Sequence, residues 1–129
     1  MPMHSRFLLG VAALSFLWVA GQGLADPAGL AATVGLGLDR PDASNELRAS
    51  YGGQSLAIAL LMALGAWRPS ATRPALALLT TLCAGLVAGR TVDAVLNGLP
   101  TAFVSGLWVF EAIMAAAGGL LLRDSRQTP

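Results

Sequence analysis

The chain has 129 residues, of which 55% are hydrophobic and only 12% charged, with eight arginines, no lysine, seven acids, one histidine and one cysteine. A soluble domain of ordinary composition is about 45–50% apolar and about a quarter charged, so this composition is that of an integral membrane protein. It excludes a lysine Schiff base, an intrachain disulfide, and a zinc, iron–sulfur or bis-histidine haem site built from this chain alone, and the net charge of +1 gives no field for nucleic acid.

A helix crossing the bilayer core takes about 20 mostly apolar residues. Reading along the chain gives four such runs, at about 7–21, 47–67, 74–96 and 102–122. They predict a single all-α transmembrane domain, a four-helix bundle running up-down-up-down. Residues 22–46 read as an outer loop, glycine-rich, with an apolar stretch at 30–38. Ser44 or Asn45 suits the N-cap of the second helix, with Glu46 well placed in its first turn. Arg68-Pro69-Ser70 ends the second helix, Pro74 sits where proline suits a helix start, and Asn97-Gly98-Leu99-Pro100 separates the third helix from the fourth.

Arginine bias sets the expected orientation. With the N-terminus inside, Arg6, Arg68, Arg73, Arg123 and Arg126 lie on the cytoplasmic side, against Arg40 alone in the outer loop. The expectation is therefore N-in, C-in. A second reading of the N-terminus exists: Arg6, an apolar run and Gly23-Leu24-Ala25 resemble a secretory signal with a small-x-small cleavage site. The length of the apolar run favours a retained first span.

Ionisable groups inside spans are costly and mark functional hypotheses. Glu46, Arg48 and Tyr51 open the second helix, with Gln54 and Ser55 one turn deeper. Arg90 and Asp93 lie near the outer end of the third, and Glu111 lies nine residues into the fourth, about 13 Å deep. Arg48, Tyr51 and Ser55 share a helical face, as do Arg90, Asp93 and Asn97, and Trp108, Glu111, Ala115 and Gly118. Antiparallel neighbours then predict Arg90 as the partner of Glu111, and Arg48 paired with Asp93 or Glu46, around a blind polar vestibule in the outer half. Against this stands a plainer reading, in which such pairs only fix helix neighbours and shallow charges snorkel to the headgroups.

The remaining signals are weaker. Gly85-xxx-Gly89 and Ala115-xxx-Gly119 are small-xxx-small patterns that favour close packing within the bundle over a dimer face. Gly52-Gly53 would let a helix or a ligand approach beside Tyr51. Trp18, Trp67 and Trp108 read as interface anchors or packing residues, Cys83 as a small apolar residue, and His4 as solvated. No serine, histidine and acid form a plausible triad; no catalytic residue, metal ligand or cofactor is assigned. Glu111 could carry a proton, but an arginine beside it opposes that role by pairing with the carboxylate.

The segment Asn45-Glu46-Leu47-Arg48-Ala49-Ser50-Tyr51-Gly52-Gly53 resembles an E-x-R-x-x-Y-G-G signature, and Gly89-Arg90-Thr91-Val92-Asp93 with Asn97-Gly98-Leu99-Pro100 is similar to a second block of the same family. Glu111 matches an acid in its last helix. The family is a group of small bacterial four-helix membrane proteins known as domain of unknown function 4345. The resemblance covers nearly the whole chain and implies a multi-pass protein of the bacterial cytoplasmic membrane. It implies no activity. The architecture is also similar to that of small DoxX-like membrane proteins, by fold analogy alone.

Three functions fit the residues. The first is a non-enzymatic bundle in which Glu46, Arg48, Tyr51, Gln54, Arg90, Asp93 and Glu111 bind a small or amphipathic ligand or a lipid headgroup. The second is an accessory subunit of a larger membrane complex. The third is an intramembrane enzyme or proton-coupled carrier using Glu111. Beyond these, the lipid bilayer is the expected partner, and nucleic acid is not.

Overall fold

A computed structural model describes residues 3–124, and the Arg126 of the charge-bias argument lies outside them. All of the regular structure in the described residues is helical. In chain order it comprises α1 (Met3–Ala25), α2 (Pro27–Thr33), α3 (Pro41–Leu47), a π-helical segment (Arg48–Gly53), α4 (Gln54–Trp67), α5 (Pro69–Asn97) and α6 (Ala102–Asp124).

Four helical stretches are long and apolar enough to cross a membrane: Met3–Ala25, Asp42–Trp67, Pro69–Asn97 and Ala102–Asp124. In none of them is more than 28% of the most apolar window buried within the chain. Phe7, Leu14, Trp18, Leu60, Val109 and Ile113 all stand exposed. In water so much uncovered apolar surface would drive aggregation, whereas in lipid it is the outer surface of the protein.

Proline sets three of the helix starts. The residue before a proline is pushed out of the α region, and Asp26, Arg40 and Arg68 all have non-helical backbone ahead of Pro27, Pro41 and Pro69. Each proline stands in the first turn, where its missing N–H is not needed. The stretch expected as loop, 22–46, is therefore mostly helical. α1 runs on to Ala25, and Asp26 caps α2 by accepting from the Gly29 amide (2.9 Å).

α2 ends in a Schellman turn, with the Leu36 amide donating to Ala31 O and the Gly35 amide to Ala32 O; Gly35 supplies the φ of +75° that the turn requires. The cap of α3 is Arg40 rather than Ser44 or Asn45, and it makes no side-chain capping bond. α5 begins at Pro69, so Pro74 lies inside it.

The chain divides into two compact units, one holding the described residues up to Leu9 together with those from Leu64 on, the other Gly10–Ala63. In the first unit, three successive carbonyls near the end of α4 each find a donor. Leu64 O accepts from the Arg68 amide, Gly65 O from the Thr72 hydroxyl (2.8 Å), and Ala66 O from Arg6 Nε (3.2 Å). A cation at a helix C-terminus is favoured by the helix dipole as well. Gly65 is wedged against Ala75 and Leu9, so a side chain there would collide with both.

α5 and α6 pack along each other, joined by residues 98–101, where Gly98 takes a φ of +92°. Thr101 opens α6, its carbonyl accepting from the Ser105 amide and its hydroxyl from the Val104 amide. Gly118 packs tightly against Thr80, where an added Cβ would lie 2.6 Å from Oγ1. Gly119 makes an ordinary contact with Thr80 and Ala115 is half-buried, but a Cβ on Gly85 or Gly89 would meet nothing within 4 Å. The small residues of α5 that were expected to pack thus face open space.

Candidate functional site

The polar residues lie in two settings, one in each unit. In the α5–α6 pair, Arg90 sits seven residues before the end of α5 and Glu111 nine residues after the start of α6. At 1.5 Å per residue these positions are about 10 and 13 Å from the turn, close enough in depth for one side chain to reach the other. Arg90 Nε donates to Glu111 Oε2 (2.7 Å) and its second nitrogen to Oε1 (2.9 Å), a two-pronged fork.

Glu111 is buried, with a relative exposure of 8%. Trp108, Ala115 and Gly118, which share its face, are half-buried or buried, and Met114 is buried beside them. Both oxygens of this carboxylate already accept from the guanidinium. Further toward the turn, Asp93 accepts from Asn97 Nδ2 (2.7 Å), a bond along the exposed side of α5.

In the other unit, the signature segment does not continue α3 as an ordinary helix. From Arg48 to Gly53 the hydrogen bonds skip one more residue, and the amide of Gln54 closes on the carbonyl of Ala49. A π-turn holds more residues per turn than an α-turn, so Arg48, Tyr51 and Ser55 do not stay on one stripe: Arg48 is exposed, Tyr51 half-buried and Ser55 buried.

The backbone of this segment carries a close helix contact. A Cβ on Gly23 of α1 would lie 2.6 Å from the Gly52 amide nitrogen, and one on Gly52 would strike the Leu24 side chain. Gly53 has room for a side chain, and Gln54 is exposed. Arg48 adds to the same seam by donating from Nε to Leu24 O (3.3 Å), while its other nitrogen donates to Ser44 Oγ (2.8 Å). Glu46 accepts from Ser50 Oγ (2.7 Å). Arg48 and Glu46, expected as a possible pair, are each taken up by a serine four residues away.

Beside this segment lies a cavity of about 250 Å³. Leu36, Leu38, Ala43 and Leu47 make most of its wall, and Glu46, Ser50 and Tyr51 add the polar groups. The cavity could not be read from the sequence, because three of its eight wall residues, Leu36, Gly37 and Leu38, belong to the linker after α2. The serine partners did leave a signal, since Ser44 with Arg48 and Glu46 with Ser50 stand four apart, the spacing of neighbours on a helix. Among the described residues no three of His, Cys, Asp or Glu come together as metal ligands, and Cys83 is a buried free thiol.

Four long apolar helices and a helical chain with charged residues at a few chosen depths define a multi-pass membrane protein. Residues 4–122 match the family described as Domain of unknown function (DUF4345), nearly the whole chain, and the protein belongs to that family. No curated protein matches it. No solved structure matches it.

Proposed function

We propose that this protein, without catalysing a reaction, holds a small or amphipathic molecule or a lipid headgroup at the polar end of its second span. The observation that carries the proposal is the cavity of about 250 Å³ walled by the π-helical signature segment. Single π-turns within helices are frequent at functional sites, where a surface needs a backbone that the regular helix does not provide. Here the departure coincides with Glu46, Arg48, Tyr51 and the glycine pair. Gln54 follows it directly, while Arg90, Asp93 and Glu111, grouped with these residues from the sequence, belong to the other compact unit and are not part of this cavity.

In this reading the chain is a four-span protein of the bacterial cytoplasmic membrane with both termini inside, which places Arg6, Arg68 and Arg73 at the cytoplasmic face. Single-cysteine variants in a Cys83→Ala background test the orientation. A membrane-impermeant maleimide should label Ser50→Cys from outside intact cells and Ser70→Cys only after lysis; the reverse pattern inverts the topology. Binding is tested by mass spectrometry of small molecules that co-purify with the full chain. An amphiphile should accompany the wild type and be lost from Ala43→Trp, which fills the cavity, while circular dichroism shows the same helix content. An identical small-molecule profile for both overturns the reading.

A second reading, an accessory subunit of a larger membrane complex, draws on the open faces of Gly85 and Gly89, where another backbone could come close. Purification in a gentle detergent decides it, because a chain that always runs alone has no such partner.

A further inference from the structure

We infer that the occupant of the cavity beside the π-helical segment is a cationic amphiphile, its ammonium group inside and its apolar chain outside. This inference rests on the binding reading above and adds the chemical class of the ligand.

The first argument is charge. Glu46 is the ionisable acid in the wall; one of its oxygens accepts from Ser50, and among the described residues none donates to the other. A second carboxylate stands close by, since a Cβ on the wall residue Gly37 would lie 3.1 Å from Asp39 Oδ2. Among the described residues no arginine lines the cavity, and the guanidinium of Arg48, one residue past the wall residue Leu47, is directed to Ser44 and Leu24 O. An anion entering would meet the Glu46 carboxylate at the wall, whereas a cation would pair with it.

The second argument is the wall. Leu36, Leu38 and Leu47 give the cavity an apolar wall, and Tyr51 supplies an aromatic ring. An open apolar wall with one carboxylate and one aromatic ring is suited to a weakly hydrated alkylammonium, which gains from the π face and from the acid without demanding a full hydrogen-bond set. A bare metal ion would need several oxygen ligands that this wall lacks.

The third argument is size. About 250 Å³ is just below the range of pockets that enclose a whole small molecule, about 300–1,000 Å³. It accommodates a headgroup and leaves the chain to the lipid around the exposed apolar helices. The same chemistry could come from a free alkylamine or from a zwitterionic lipid whose headgroup carries the ammonium.

The test uses the full chain in maltoside micelles, titrated calorimetrically with decyltrimethylammonium, decyl sulfate and decanol, with Ala43→Trp as the baseline for partition into the micelle. Only decyltrimethylammonium should bind above that baseline. Glu46→Gln should weaken it about tenfold, Tyr51→Leu should weaken it by several fold, and Tyr51→Phe, which keeps the ring, should leave it within twofold. Circular dichroism on each variant confirms that it is folded, and the Tyr51 pair tests the inference should Glu46→Gln fail to fold.

Competition by dihexanoylphosphatidylcholine would assign the site to a lipid headgroup; its failure beside tight decyltrimethylammonium binding would assign a free cationic amphiphile. If decanol or decyl sulfate binds above baseline as well as the ammonium does, or Glu46→Gln and Tyr51→Leu change nothing, the cationic class is wrong while the cavity remains a binding site. If no amphiphile exceeds the baseline, the cavity reading falls as well.

Discussion

The two polar settings differ in how their charges are satisfied. Arg90 and Glu111 answer each other across two helices, with side-chain exposures of 27% and 11%. Glu46 and Arg48 are exposed, and each is met by a serine on its own stretch of helix or by a carbonyl. A charge pair removed from water must be geometrically complete, because either member left alone is costly. Charges at an exposed helix end carry no such demand and remain available to a ligand. The first arrangement is expected to hold helices together, and the second to bind.

The sharpest way to break this contrast is Glu111→Leu. It leaves a half-buried guanidinium without its carboxylate, and the expected loss is about 3 kcal/mol of stability, read as a lower unfolding midpoint in detergent. Combining Arg90→Leu with Glu111→Leu should cost clearly less than the sum of the two single changes, and simple additivity would show that the fork contributes no coupling.

Next in size is Gly23→Ala, which drives a Cβ into the backbone of Tyr51 and Gly52. Backbone cannot yield as a side-chain tip can, so a loss of about 1–3 kcal/mol is expected. Gly53→Ala, one residue past the seam, should instead gain about 0.5 kcal/mol from the lower chain entropy of alanine; a loss equal to that of Gly23→Ala would mean that the whole pair is packed. The smallest effect belongs to Glu46→Gln, which should leave the unfolding midpoint unchanged while altering ligand binding. A drop comparable to Glu111→Leu would erase the distinction between the two settings.

Much of this architecture can be read from the sequence because a bilayer makes a simple demand. Length and apolarity located four helices, and the Arg90–Glu111 fork followed from two depths measured from one turn. The misreadings share a cause. Asp26-Pro27, Arg40-Pro41 and Arg68-Pro69 read as breaks, and they are also starts: a proline that ends one helix has the right φ to begin the next. Hence α2 and α3 lay hidden in a stretch expected as loop, and α5 began at Pro69 rather than Pro74.

The π-helical segment stayed hidden because a helical-face argument assumes 3.6 residues per turn, and the face of Arg48, Tyr51 and Ser55 was drawn on that assumption. The cavity wall combines Leu36 and Leu38 of the linker with Leu47 and Tyr51 of the helix, a meeting that no local pattern encodes.

The π-turn also amounts to one residue more than a regular helix would need between Leu47 and Gln54. Deleting Ala49 would remove the residue that the wide turn absorbs, closing the backbone into a regular helix while leaving α3 and Gln54–Trp67 in their present relation. The shortened stretch between Leu47 and Gln54 would then carry Ser50 and Tyr51 on a changed course past Glu46. A single-residue deletion is thus expected to reshape the wall of the cavity without removing any of its side chains or displacing the helices on either side, a separation of shape from composition that no substitution at this site can make.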